Sequence, residues 1–203
     1  MIPRIGFQSP CWPQLVAAAG IMLVGQVAMS VVGPLDQYAA AQLGQNANAT
    51  LGYANRILAL ILGLGAVSVG RAALPVLSDI HSRGDSAHAR RTALKWSVLM
   101  VGLGFAAAAI GWLLAPWGVA LLFERGAFTG QDTMRVAGVF RWGLMQMPFY
   151  FGVLVLVQLL ASQNRYRIMA LIAVANFALK AVLNPVLGSA LGLQGVMLAT
   201  AGM

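Results

Sequence analysis

Four cationic side chains interrupt long apolar stretches of this sequence: Arg56, Arg71, Arg141 and Lys180. A Lys or Arg at the centre of a lipid bilayer costs about 2.5–3.5 kcal/mol on insertion scales, so a cation that persists there usually faces a cavity or a partner. No Asp or Glu stands in the middle of the same stretches. A cavity lined by unpaired cations favours an anionic ligand, and the planar guanidinium of Arg can bind two phosphate oxygens at once.

Position separates the three arginines. Arg56 lies well inside its apolar stretch beside Asn55, which favours a cavity and makes both residues candidates for substrate binding. Arg141 is ambiguous by depth and is a candidate for the same cavity. Arg71 lies near the end of its stretch, where extension of the side chain to the lipid headgroups is favoured over a cavity role.

Lys180 is flanked by Asn176 and Asn184, one helical turn to either side. Spacings of four place the three side chains on one helix face. That face should point into a helix bundle, because polar groups are costly against lipid. Spacing leaves two roles open, ligand binding or a tie between helices.

The sequence shows no pattern typical of an enzyme. It lacks a phosphate-binding G-x-x-x-x-G-K-[ST] loop, paired carboxylates at one depth and metal-spaced ligands. The single cysteine, Cys11, excludes an intrachain disulfide, and His81 and His88 fit a solvated loop better than a metal site. We therefore expect no catalysis, no cofactor and no metal.

Composition predicts an all-α, polytopic membrane protein. Of 203 residues, 60% are hydrophobic and only 9% charged, against about 25% charged in soluble domains. A span needs about 20 apolar residues. The fourth predicted span exceeds this length and should tilt, kink at Pro148 or run past the surface. The predicted spans lie near 13–34, 50–74, 92–115, 132–161, 167–187 and, incomplete, 193–203.

Basic residues occur at alternate breaks between these spans. They are Arg4, then Arg83, Arg90, Arg91 and Lys95, then Arg165 and Arg167. Arg125 is the only basic residue in the other breaks, which are 35–49, 116–131 and 188–192. The positive-inside rule places the basic breaks and the amino-terminal segment 1–12 in the cytoplasm. The net charge of +8 is therefore read as a topology signal, and nucleic-acid binding is not expected.

Several strings resemble motifs of one transporter family. Residues 52–57 read Gly-Tyr-Ala-Asn-Arg-Ile, and residues 73–78 read Ala-Leu-Pro-Val-Leu-Ser. The most specific string is Leu-Leu-Phe-Glu-Arg-Gly-Ala-Phe-Thr at 121–129. Further matches are Gln26, Asp36 and residues 195–200. Over essentially its whole length, the sequence resembles the MurJ/MviN family of lipid II flippases.

The resemblance implies one lobe of a fourteen-helix transporter in the multidrug, oligosaccharidyl-lipid and polysaccharide exporter superfamily. This chain would supply the seventh through twelfth helices, without the first lobe. The implied substrate is a peptidoglycan precursor linked to undecaprenyl diphosphate, moved by alternating access across the bacterial inner membrane. Arg56 matches the cavity arginine that this family uses toward the lipid diphosphate.

The resemblance also implies a polar cluster within the lobe. Some members have a sodium site made of an Asp, an Asn, a second Asp and a Thr. Asp36, Asn176 and Thr200 match this set, but Lys180 occupies the second Asp position. Its ammonium would take the place of the ion against Asp36, so sodium binding is not expected.

Three alternatives to lipid II transport stay open. The first is a flippase that transports another lipid-linked oligosaccharide. A multidrug exporter of the same superfamily would need a mid-membrane carboxylate for drug cations, and none is seen. A non-transporting scaffold or truncated remnant is supported by the absence of the first lobe.

The predicted orientation is testable at the basic break 77–95. A cysteine that replaces Ser86 should not react with a membrane-impermeant thiol reagent added to intact cells, because the break is expected in the cytoplasm. It should react once the cells are opened. Labelling of intact cells would contradict the orientation.

Overall fold

The computed structural model describes residues 12–44 and 46–203, which form seven α-helices and no strand. The predicted all-α helical bundle is confirmed. Residues 1–11 of the predicted cytoplasmic segment lie outside the described residues. The helices are α1 (Trp12–Ala41), α2 (Ala47–Ser82), α3 (Ser86–Phe123), α4 (Gly130–Leu144), α5 (Met147–Ser162), α6 (Tyr166–Leu191) and α7 (Leu193–Ala201).

Most helices run past the predicted spans. Hydropathy detects only the apolar part of a helix, whereas the backbone continues to coil into polar sequence until a turn or cap stops it. The basic break 77–95 is mostly helical for this reason. The intervening turn contains Gly84 at φ 81°, and Asp85 caps α3 by accepting the backbone N–H of His88.

The fourth predicted span is two helices, α4 and α5, bent by 43°. Pro148 explains where α4 ends. Proline has no N–H to donate to the carbonyl four residues earlier, and its ring crowds that carbonyl. The carbonyl belongs to Leu144, the last residue of α4. The kink expected at Pro148 is therefore a break that precedes it by one turn.

Counted over the described residues, three helical segments are long and apolar enough to cross a membrane: Ala47–Ser82, Ala87–Phe123 and Tyr166–Leu191. The bent α4–α5 pair makes a fourth if it is one span. In chain order, the six predicted spans correspond to α1, α2, α3, α4–α5, α6 and α7. With 9 residues, α7 is too short to cross alone.

Glycines bring α3 and α5 into close contact. A Cβ added at Gly104 of α3 would lie 2.5 Å from the Cα of Pro148, and one added at Gly152 of α5 would lie 2.5 Å from a methyl carbon of Val101. Small residues allow such approaches in lipid, where no hydrophobic force holds helices together. The main core lies beside this contact and contains buried residues of α1, α2, α3, α4, α5 and α7.

Gly104→Ala should therefore destabilise the bundle by about 1–3 kcal/mol, because the added methyl meets backbone that cannot rotate away. The matched control is Gly102→Ala on the same helix, where an added Cβ meets nothing within 4 Å. This control should be neutral or stabilising, since Ala favours a helix over Gly. Thermal unfolding followed by circular dichroism in detergent compares the two. Equal melting temperatures would contradict the close packing of α3 on α5.

Candidate functional site

The carboxylate of Asp36 is held on both oxygens by α6. Lys180 Nζ lies 2.8 Å from Oδ2, and Asn184 Nδ2 donates to Oδ1 at 2.9 Å. The span predicted near 13–34 stopped short of Asp36, but α1 continues to Ala41 and so carries this residue inside the bundle. We call Asp36, Lys180, Asn184 and Thr200 the Asp36 cluster.

Thr200 adds a third helix to the cluster. Its hydroxyl accepts a hydrogen bond from Lys180 Nζ and donates one to the carbonyl of Val196. The ammonium therefore lies between a carboxylate of α1 and a hydroxyl of α7, and it is completely buried. One side chain of α6 thus ties α1 to α7.

The structure shows what each residue of the α6 face with Asn176, Lys180 and Asn184 contacts. Lys180 and Asn184 point into the bundle, as predicted, and both contact Asp36. Asn176 is half-buried and makes no hydrogen bond to another described residue. The partner of the second Asp36 oxygen is Asn184, which the predicted ion site omitted. Its signal was the same four-residue spacing from Lys180 that drew attention to Asn176.

Burial gives the Asp36 cluster its energetic weight. An unpaired charge in the interior is costly, so removal of one partner of a buried ion pair typically costs about 3–5 kcal/mol. The surface offers a comparison: Arg83 and Asp79 also lie 2.8 Å apart, but their side chains are 75% and 58% exposed. Exposed pairs typically contribute about 0–1 kcal/mol.

Arg56, by contrast, has no charged partner. It is exposed on α2 and makes no ion pair or hydrogen bond with another described residue. Its guanidinium carbon lies 5.6 Å from the centre of the Tyr53 ring, within the range of a cation–π contact. The Tyr53 ring is packed against Phe123 at 4.8 Å and Phe128 at 5.1 Å. The two most specific strings of the sequence therefore meet beneath Arg56.

The acidic residues nearest the 124–129 turn, Glu124 and Asp132, are both held by local hydrogen bonds. Glu124 Oε2 accepts the hydroxyl of Thr133 at 2.8 Å. Asp132 and Thr129 form a capping box at the start of α4, where each side chain accepts the backbone N–H of the other residue. These bonds fix the turn and leave the charge of Arg56 uncompensated. Asn55, next to Arg56, is also exposed.

Arg141 has a backbone partner that its sequence position did not predict. Its Nε donates to the carbonyl of Trp112 on α3 at 3.0 Å. In an unbroken helix that carbonyl would accept the N–H of residue 116, but residue 116 is proline. Arg141 therefore fills the gap that Pro116 leaves in α3. Its guanidinium carbon also lies 5.9 Å from the centre of the Trp112 ring.

Among the described residues, no group of three or more His, Cys, Asp or Glu side chains could hold a metal ion. The two polar arrangements differ in what they offer a ligand. In the Asp36 cluster the charges of Lys180 and Asp36 neutralise each other. Arg56 presents an open cation on a rigid aromatic base, which suits an anion. Among the described residues, Arg56 is therefore the candidate for binding a charged substrate.

A family model described as "Lipid II flippase MurJ" matches residues 1–203. Among curated proteins, the chain is 30% identical over 201 residues to "Probable lipid II flippase MurJ" of Bdellovibrio bacteriovorus, covering 97% of this chain and 38% of that protein. It is also 30% identical over 165 residues to the protein of the same name from Rhizobium tropici, covering 77% of this chain and 30% of that one.

A solved structure named "Lipid II flippase MurJ, inward closed conformation" matches the fold with a TM-score of 0.73. The match covers 97% of this chain and 41% of that one, and at 23% identity it shows the fold alone. The chain thus spans about two fifths or less of the length of these relatives.

The Asp36 cluster generates a prediction about stability. Lys180→Met should lower the free energy of unfolding by about 3–5 kcal/mol, because it leaves the Asp36 carboxylate buried without a counter-charge. Adding Asp36→Leu to Lys180→Met should recover most of this loss, since two apolar side chains need no compensation. Denaturant unfolding in micelles measures both.

The matched control is Arg83→Met, which breaks the exposed ion pair with Asp79 and should cost about 1 kcal/mol or less. If Lys180→Met unfolds like the control, the ion pair does not hold the three helices together.

Proposed function

Because this chain belongs to the lipid II flippase MurJ family, we propose that it is one lobe of a transporter that moves a peptidoglycan precursor linked to undecaprenyl diphosphate to the outer leaflet. The observation that carries the proposal is the family match over all 203 residues. The activity proposed is transport without chemical change of the substrate. The membrane is proposed to be the bacterial inner membrane, with the amino terminus in the cytoplasm.

A second lobe is part of this proposal. The chain covers 38% of the Bdellovibrio protein. Transporters of this general kind work by rocking two halves around a central site. We propose that Arg56 lies on the side of this lobe that faces the other half, so that the two lobes enclose the diphosphate while the polyprenyl tail stays in lipid.

Arg56 is suited to a diphosphate for three reasons. Its fork of N–H donors can bind two phosphate oxygens at once. No described carboxylate competes for it. The contact with Tyr53, which is itself packed on Phe123 and Phe128, limits the orientations of the guanidinium before substrate arrives. The amide of Asn55 can add a neutral hydrogen bond.

The Asp36 cluster serves the same cycle as a fixed joint. Lys180 supplies the positive charge that a bound cation would otherwise bring to Asp36, and it cannot dissociate from the protein. Three helices are therefore held together through the cycle, and α1, α6 and α7 move as one body. On this proposal the lobe requires no sodium ion at Asp36.

The proposal is tested by substituting Arg56 in a complete transporter that contains this chain. Arg56→Lys should lower translocation about tenfold, because it keeps the charge but loses a charge-assisted hydrogen bond worth about 1.5–3 kcal/mol. Arg56→Ala should lower it further. The measurement is the appearance of labelled precursor at the outer leaflet of cells that depend on the transporter.

Arg71→Ala is the matched control, since Arg71 is another exposed arginine of α2. It should insert and transport like the unaltered protein. Transport at the normal rate by an Arg56→Ala variant that inserts normally would exclude Arg56 from substrate binding.

A further inference from the structure

A pocket lies between α1 and α6, next to the Asp36 cluster. Its volume is about 510 Å³, within the range of small-molecule sites. We call it the α1–α6 pocket. Its polar wall residues are Tyr38 of α1, Gln42 directly after α1, and Asn184 and Ser189 of α6, and none of the described residues that line it carries a charge.

The wall contains an acceptor that lacks a donor. Asn184 is 4% exposed, and its Nδ2 is used by Asp36. Its Oδ1 is buried and has no hydrogen-bond partner among the described residues. The amide cannot be turned around to hide this oxygen, because the carboxylate of Asp36 accepts hydrogen bonds and requires the NH₂ group. A buried polar atom without a partner calls for a ligand group or water.

Pro185 supplies a second acceptor on the same wall. It follows Asn184, and its missing N–H leaves the carbonyl of Ala181, another lining residue, without the usual donor of an α-helix. The hydroxyl of Ser189 donates to the carbonyl of Val186 at 3.0 Å, so it presents lone pairs to the pocket. The wall therefore offers acceptors and calls for a ligand that brings donors.

The remaining walls limit the chemistry of that ligand. The absence of charge disfavours an anion, and the buried ammonium of Lys180, bonded to the same Asp36, disfavours a second cation. Apolar surface from Leu35 and Leu43 suits C–H groups, and the ring of Tyr38, 68% exposed, is free to stack at the rim. A neutral ring with several hydroxyls combines these properties.

We propose that the α1–α6 pocket binds a saccharide ring, with hydroxyl groups directed at the Ala181 carbonyl and the Ser189 hydroxyl oxygen and one face on Tyr38. The proposal rests on the proposed function for the origin of the sugar, which would be the glycan of the carried lipid. The pocket lies toward the ends of α1 and α6 that adjoin the breaks predicted to lie outside, where a translocated glycan emerges.

The test uses N-acetylglucosamine as the probe and saturation-transfer NMR on the purified protein in nanodiscs. Saturable binding is expected for the unaltered protein. Tyr38→Ala removes the stacking surface without touching the Asp36 cluster and should weaken binding about fivefold or more. Pro185→Ala restores an N–H to α6, which occupies the Ala181 carbonyl, and should weaken binding about fivefold while helix stability stays equal or rises.

Pro75→Ala is the matched control, because it repairs the corresponding gap in α2, away from the pocket, and should leave binding unchanged. The pocket proposal is overturned if the unaltered protein gives no saturable signal, as expected if a lipid chain fills the pocket. It is also overturned if all variants bind alike.

Translocation is measured in parallel in a complete transporter, which separates the two proposals. A protein that binds the sugar but does not translocate the lipid supports the pocket and contradicts the transport function. A protein that translocates without binding the sugar overturns the pocket alone.

Discussion

A carboxylate buried among membrane helices must have both of its oxygens compensated, and Asp36 imposes this requirement on three helices. Lys180 neutralises one oxygen and Asn184 donates to the other. Because the ammonium also reaches Thr200, the positions of α6 and α7 are fixed relative to α1 by one buried charge. Lipid supplies no hydrophobic drive for helix association, so interhelical hydrogen bonds of this kind act together with close van der Waals packing.

Prolines create a second constraint, because each one inside a helix removes the donor for a carbonyl one turn earlier. The structure shows three different outcomes of this missing donor. At Pro116, Arg141 crosses from α4 and donates to the Trp112 carbonyl. At Pro185 the corresponding carbonyl belongs to Ala181, a residue that lines the α1–α6 pocket. Between α4 and α5 the helix breaks. The same missing donor is thus followed by a hydrogen bond between helices, by a residue in a pocket wall or by a bend, depending on what lies beside it.

The sequence predicted the helical bundle and the pairing of Lys180 with Asp36, and the structure has both. Side-chain periodicity also indicated which face of α6 points inward. The sequence did not predict the helix ends, because hydropathy falls at polar residues such as Asp36 although the backbone there is still helical. Nor did it predict the bond from Arg141 to Trp112. That bond joins residues 29 positions apart and depends on how α3 and α4 are rotated about their axes, which no local pattern encodes.

Lys180 and Arg56 show why the burial of a cation and the charges around it must be considered together. Both stand in apolar sequence, and composition treats them alike. Lys180 is fully buried, and its charge is cancelled by Asp36, so it has nothing left to offer a ligand. Arg56 is exposed, and the carboxylates of the nearby turn are engaged by Thr133 and by the capping box. The charge of Lys180 is thus neutralised inside the bundle, whereas the guanidinium of Arg56 is open to an anion, as the proposed recognition of a diphosphate requires.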